Sequence, residues 1–486
     1  MQRSKNTNKI SDTRHFFKNP DTIFFVFASL LKEFKLTRMN TLLSSTKSKG
    51  INPKTVFQTL FILPFINADN IHKLMGMGIS KDIAHKKDVF YEFMKNERID
   101  WRRILTLFVS QFNSIIARHS EDRQPDSPRC LIVDDSILTK SGKCIELIGK
   151  VYDHCTHTYQ LGMKMLVLGL WDGKSFLPVD YSLHNEPGKT QSRGLKKKQL
   201  QAQFTKVRAC DSPGHKRVQE VEMGKIESAL AMIKRAVRKI ESVQYVLADS
   251  WFITADFISE VQNISPKKGS QINVIGLMKS NRIYTHGNSK IKGDTIPELK
   301  RSEIKYCQKF KCYYIPLQVN YKGIEIKLFC IRMRGQQSWK TLITTDLKLS
   351  FINTMKYYQI RWSIEVFFKD CKQNLRLNKC QSTDFDAYIA SITICFMTYM
   401  VLSLRKRFDD YESLGKLFSS LKEFFLEATI IEKIWNFIIE FFNSIFSELG
   451  VDLAAFMNLL IDNQEKVIGL IRSEIGNLFS LNRKLA

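Results

Sequence analysis

Cysteine is missing from the chain before Cys130, and the ten that follow form no C-x-x-C pair and no regular spacing. That excludes a disulfide scaffold and points to the scattered reduced thiols of a cytosolic protein. The opening stretch MQRSKNTNKISDTRHFFKN holds no apolar run followed by a small-residue cleavage site, so no secretory signal is expected. Long uncharged runs are scarce too. The longest, from Tyr388 to Leu404, is interrupted by Ser, Thr and Cys, and it reads as a buried core helix rather than a membrane span. Internal repeats and low-complexity tracts are absent. Acidic residues are in deficit: 48 Asp and Glu face 74 Lys and Arg, for a net charge of +26. Such a surplus favours a polyanionic partner, nucleic acid before a membrane surface.

What is present can build real cores. Hydrophobic residues make up 44% of 486, a length that suggests about three domains. Residues 1–128 read as a basic, helical N-terminal region, with apolar residues at helical spacing in TVFQTLFILPFI and WRRILTLFVSQFNSII. The polar loop HSEDRQPDSPR closes it. Residues 129–378 change character. CLIVDD is a short buried-strand run, IELIGKVYD and QLGMKMLVLGLW read as further strands, and Asp172-Gly173 turns the chain into SFLPVDYSL. A basic loop over 188–217 precedes the predicted helix VQEVEMGKIESALAMIKRAVRKIE, the strand VQYVLAD and a helix from about Thr254 to Gln262. Strand, strand, strand, helix, strand, helix is the order of a ribonuclease-H-like α/β core, though other folds share it. A β-rich stretch, about 282–346, reads as an insertion ahead of the last core helix. Residues 379–486 read as helical, with a possible dimerisation surface.

Two apolar strands end in carboxylates, Asp134 in LIVDDS and Asp249 in YVLADS, which places both acids on rigid backbone at the sheet edge. Alone, each is as readily a cap or turn residue. Phosphoryl transfer by two divalent ions requires several carboxylates converging on one point, so a third acid is needed. MKYYQIRWSIEVFFKDCKQNLRL supplies it. On one helix, Tyr358, Arg361, Glu365 and Lys372 fall within roughly 60° of one another, at 100° per residue. Ile360, Ile364, Phe367 and Cys371 form a separate apolar stripe. The plainer alternative is a solvated Arg/Glu pair at i, i+4.

Tyr358, Arg361, Glu365 and Lys372, at this spacing, resemble the YREK signature of the family-four bacterial insertion-sequence DDE transposases. Asp134 in a D-x-S setting and Asp249 in L-A-D-S extend the resemblance over roughly residues 129–400. It implies a ribonuclease-H-like core with a β-rich insertion, and cut-and-paste transposition with strand transfer of a 3′-OH. It also implies that Asp134, Asp249 and Glu365 bind two Mg²⁺ (or Mn²⁺) ions, while Tyr358, Arg361 and Lys372 grip the DNA backbone. Trp339 is the implied platform for a flipped base. The implied partners are double-stranded DNA, as terminal inverted repeats and target, and a second copy in a synaptic homodimer. The implied location is the bacterial cytoplasm, on the nucleoid, without membrane attachment.

Asp135, beside Asp134, points to the opposite face by strand alternation and is its rival as first acid. Asp153, His154, Cys155 and His157 lack regular zinc-ligand spacing. Lys196, Lys197 and Lys198 are either a solvated charge run or a phosphate contact. Glu146, Asp172, Asp180 and Asp256 read as turn or surface residues. Two other functions compete with transposition: a ribonuclease-H-like nuclease without strand transfer, and a DNA-binding relative that has lost catalysis.

Overall fold

The run CLIVDDSILT, rich in β-branched residues, forms a ten-residue core strand, β1 (Cys130–Thr139), with its first four residues fully enclosed. The structure is a computed structural model that describes residues 34, 37–46, 51–65, 70–75, 87–118, 127–186, 192–265, 271–408 and 412–423, with six positions between 463 and 473. The basic segment before residue 34 and most of the expected helical region beyond residue 423 lie outside the described residues. Contacts divide the chain into two units. One comprises Met1–Asn40, Lys47–Phe93 and Tyr411–Ala486, the other Thr41–Thr46 and Met94–Asp410.

In the first unit, the helix Pro53–Ile62 starts with Asn52, whose side chain accepts from the Lys54 amide, and with proline in the first turn, where no N–H is needed. It buries Phe57 and Phe61 on one face, and Phe65 meets Phe418 at 5.2 Å.

The second unit carries a mixed sheet. After β1 come β2 (Gly149–Asp153), β3 (Thr158–Trp171) and β4 (Phe176–His184). Then follow β5 (Tyr245–Ala248), β6 (Asn273–Met278), β7 (Ile283–His286), β8 (Ser289–Lys292) and β9 (Lys305–Cys307). The last three are β10 (Cys312–Tyr321), β11 (Ile324–Met333) and β12 (Lys340–Thr344). The order is β2-β3-β1-β5-β6-β12-β11-β10-β7-β8, with β4 also on β3 and β9 on β10. β3 runs antiparallel to β1 and to β4, while β5 and β6 run parallel to β1. Three antiparallel strands followed by two parallel ones fit a ribonuclease-H-like superfamily. β12 joins antiparallel to β6, so the strands between β6 and the next helix extend the same sheet.

Six helices matter for the site: α1 (Trp101–Arg118), α2 (Lys225–Val237), α3 (Ala255–Gln262), α4 (Phe351–Gln359), α5 (Trp362–Gln373) and α6 (Phe385–Phe408). α1 presents Ile104, Leu105, Phe108, Phe112 and Ile115 on one buried face, the stripe that its periodicity predicts. α6 is enclosed almost throughout, and both α1 and α6, assigned by sequence to the flanking regions, pack against β4.

Four expectations change. The predicted helix over VQEVEMGKIESALAMIKRAVRKIE is two: Pro213–Gln219, capped by Ser212, and α2, which starts afresh after Gly224. The basic loop 188–217 contains the short helix Lys197–Gln201 and, beyond it, Arg208 and Arg217, both buried. The strand expected over IELIGKVYD begins only at Gly149. Glu146 and Asp180 are not turn or surface residues, and Asp172, though it closes the β3–β4 turn by accepting the Lys174 and Ser175 amides, is not a solvated one. Glu146 pairs with Arg208 at 2.6 Å, Asp172 with Arg407 at 2.6 Å, and Asp180 with Arg102 at 2.9 Å and Arg235 at 2.8 Å, all with the carboxylate enclosed. Burial with a partner removes the cost that made a surface position the default reading.

Candidate active site

Register brings the first two acids together. Val133 of β1 lies opposite Ala248 of the parallel neighbour β5, so Asp134 and Asp249 follow facing residues on adjacent strands. Neighbouring strands are about 4.8 Å apart. Asp249 leaves its strand at once: its Oδ1 accepts the Trp251 amide at 2.7 Å, closing an Asx-type turn that fixes the carboxylate's direction. Asp134, expected at a strand end, instead lies within β1, which runs on to Thr139 paired with β3, and it accepts the Asp135 amide at 2.9 Å.

The third acid arrives on α5. The expected single helix through Tyr358 and Lys372 is in fact α4 and α5, separated at Ile360 and Arg361. There the amides of Ile360, Arg361, Ser363 and Ile364 reach back only three residues, to Tyr357, Tyr358, Ile360 and Arg361. Helical dihedrals persist through this tight turn, so the side chains keep nearly the spacing read from sequence. Ile364, Phe367 and Cys371 are fully buried beneath α5, which turns Glu365 toward the sheet edge.

Arg361 ties the elements together. Its Nη1 donates to Asp134 Oδ2 at 2.7 Å and its Nη2 to Glu365 Oε1 at 2.6 Å. The guanidinium also lies 5.8 Å from the Tyr358 ring centre. Further along α5, Lys372 donates to the Ser136 hydroxyl at 2.7 Å. The serine of the D-x-S setting and the lysine of the helical signature therefore meet, on the same face of β1 as Asp134. Asp135 lies on the other face, paired with Lys225 at 2.6 Å. Trp339 does not join this cluster; its ring lies under Arg332, 5.0 Å away, and that guanidinium also covers Tyr313.

Charge in this crowded corner is strained. Burial pushes the Asp134 carboxyl up to about 7, against the pull of Arg361 and with the repulsion of Asp135 and Asp249 added. Burial likewise pushes the Tyr358 hydroxyl up to about 12, with Asp249 and Asp134 contributing. The Lys372 ammonium is lowered, chiefly by burial. Arg361 is raised, because Tyr358, Asp134 and Glu365 together outweigh its own burial.

The hard carboxylate oxygens of Asp134, Asp249 and Glu365 are the donor type that divalent magnesium or manganese prefers. A desolvated carboxyl with acidic neighbours is also short of positive charge. Among the described residues, however, no three such groups gather at ligating distance. Arg361 holds the space between Asp134 and Glu365. The donors fit the ions in kind and in charge, with the guanidinium as the present counter-cation.

Elsewhere, Asp153 is occupied in closing the β2–β3 turn. It accepts from the Cys155 amide at 2.9 Å, the Thr156 hydroxyl at 3.0 Å and the Gln160 amide at 2.9 Å. Lys196, Lys197 and Lys198 are exposed at the start of a short helix. Two neighbours of the acids escaped the sequence reading: Lys225, whose partnership with Asp135 spans 90 positions, and Trp251. The available signal for Trp251 was an aromatic two residues after a strand-end acid.

Residues 77–268 match the family described as DDE superfamily endonuclease, and residues 214–401 match the family described as Transposase DDE domain. The first stretch contains Asp134 and Asp249, the second Asp249 and Glu365. Together the matches support a place in the DDE transposase and endonuclease superfamily, and an enzyme of the transposase or nuclease kind, acting on DNA. Comparison with curated proteins found no match.

Proposed function

We propose that the chain is a cut-and-paste DDE transposase of the family-four, YREK-bearing kind. Asp134, Asp249 and Glu365 are its acidic triad, and β7 to β12 correspond to the β-rich insertion. The observation that carries this reading is the Arg361 bridge, which links an acid within β1 to a helical acid, beside the end of β5 where a second acid emerges. A plain structural ion pair needs no third carboxylate and no second cation beside it.

In this reading Asp134, Asp249 and Glu365 hold two divalent ions, which supply Lewis acidity and lower the pKa of bound water. The chain's own residues do the rest. Arg361 transfers its fork of donors from the carboxylates to a phosphate, a planar, bidentate contact suited to guanidinium. Lys372 provides a second positive point contact from the Ser136 side. Tyr358, kept protonated by its burial, donates its hydroxyl to the backbone near the cut. Trp339 and the three lysines from Lys196 contact DNA further out, the basic N-terminal region reads the terminal repeats, and a second copy completes the synapse. The competing nuclease reading has its own support in the endonuclease family match.

The test is incubation with Mg²⁺ and a plasmid bearing the flanking inverted repeats. Cleavage at the repeat ends, joining of those ends to a target, and loss of both in Glu365→Gln are expected. Cleavage at random positions without joining would select the nuclease reading instead. DNA retained but never cut, by the unsubstituted protein, would reject both.

A further inference from the structure

We infer that the projecting end of the β2–β3 hairpin is a second grip on DNA, with Lys150 and Tyr159 on the backbone of the duplex that Lys372 holds. The inference rests on the proposed activity at DNA ends and says where that substrate continues. β1 stops at Thr139, opposite Gly162, whereas β3 begins at Thr158. Paired with β2, it runs on past β1 by about 13 Å, at roughly 3.3 Å per residue. Alternation decides which of its side chains share a face. Met165 lies opposite Ser136, whose hydroxyl receives Lys372, and Leu161 and Tyr159 follow on the same side. Lys150 lies opposite Leu161, and Tyr152 opposite Tyr159. Lys150, Tyr152 and Tyr159 therefore stand on the face of the sheet that carries Asp134 and Ser136.

The projecting end is braced, and it stands close to α5. The Tyr152 ring meets Tyr159 at 5.2 Å and His154 at 5.0 Å, both edge-on, and its hydroxyl lies 3.3 Å from His157 Nδ1. Asp153 and Cys155 are near enough to Lys372 to oppose the lowering of its ammonium by burial. Tyr152 is half-buried among these rings, whereas Tyr159 leaves 68% of its surface open and Lys150 is exposed. Phosphate oxygens accept hydrogen bonds from lysine and tyrosine alike. A ring already held in place loses little entropy when its hydroxyl finds such a partner. Along β3, Tyr159 is about 20 Å beyond Met165, the level of Ser136 and Lys372. Duplex DNA rises about 3.4 Å per base pair, so the second grip falls about six base pairs from the phosphate at Lys372. The partner selected is the backbone of double-stranded DNA, met without regard to base sequence.

The experiment is hydroxyl-radical footprinting of a duplex bearing the flanking inverted repeat, in EDTA so that binding is read without cleavage, with affinity measured across a salt series. Protection is expected at the repeat end and again about six base pairs away. Tyr159→Phe combined with Lys150→Ala should erase the second stretch, keep the first and weaken binding about tenfold. Lys150→Ala alone should lower the slope of log affinity against log salt by about one, and Tyr159→Phe alone should leave that slope unchanged. An unchanged urea midpoint in the double variant shows that the hairpin still folds. An unaltered footprint and affinity in that variant, or a wild-type footprint confined to the repeat end, overturns the second grip while leaving the wider reading intact. A wild-type protein that protects no part of the duplex overturns both.

Discussion

Arg361 donates to two carboxylates that lie 231 positions apart in the chain, a contact suited to the planar fork of a guanidinium. Arg361→Lys replaces the fork by a single point of charge, so cleavage at repeat ends should fall roughly tenfold to a hundredfold, less completely than in Glu365→Gln. An unchanged single-turnover rate would show that the fork is not used. At this scale, Glu365 and Arg361 were legible in the sequence because i, i+4 neighbours share a helix face whatever surrounds them. Between Asp134 and Asp135, alternation gave only opposite faces, and the D-x-S resemblance selected Asp134. Which face the helix covers is a tertiary fact: Asp134 meets Arg361, and Asp135 meets Lys225.

Elements hold these residues by register. β5 is only four residues long, and its last residue, Ala248, lies opposite Gly276 of β6. A Cβ at Gly276 would lie 2.7 Å from the Ala248 carbonyl oxygen and 2.6 Å from the Ile253 side chain, closer than either can yield without moving the strand end. Gly276→Ala should therefore cost about 1–3 kcal/mol of stability, read as a lower urea midpoint. Cleavage should drop further than that loss explains, because Asp249 follows Ala248 directly. A normal midpoint with normal cleavage would mean that the strand end adapts freely. The longer strands were readable from β-branched runs, whereas the short β7, β8 and β9 were not, and the last core helix was readable from its apolar stripe. The break at Ile360 and the restart after Gly224 were not, because side-chain periodicity continues through a single tight turn.

For the second unit as a whole, buried ion pairs decide how the sheet meets its covering helices. Asp180 on β4 is joined to Arg102 of α1 and Arg235 of α2, and Glu220 adds contacts to Arg102 and Arg217. Burial alone would raise the pKa of both acids, but the arginines outweigh it and hold both below the usual carboxylate range. Groups depressed in the folded state lend stability above their unfolded pKa, near about 4, and lose it as pH falls through the folded values. The denaturation midpoint should thus be insensitive to these acids from pH 7 to 5 and decline steeply below roughly pH 4. Asp180→Asn, which leaves arginines facing an uncharged group, should cost about 3–5 kcal/mol at neutral pH and flatten the acid limb. An unaltered acid limb would assign the decline to other carboxylates. Composition, alternation and helical spacing by themselves determined the basic charge, the apolar strands that carry or precede Asp134 and Asp249, and the face bearing Glu365, because each is a local pattern. The tertiary structure alone decided the enclosed pairs of Glu146, Asp172 and Asp180, the side of β1 that faces Arg361, and the meeting of Trp251 with Lys225. Those depend on contacts between residues far apart in the chain, which no local periodicity records.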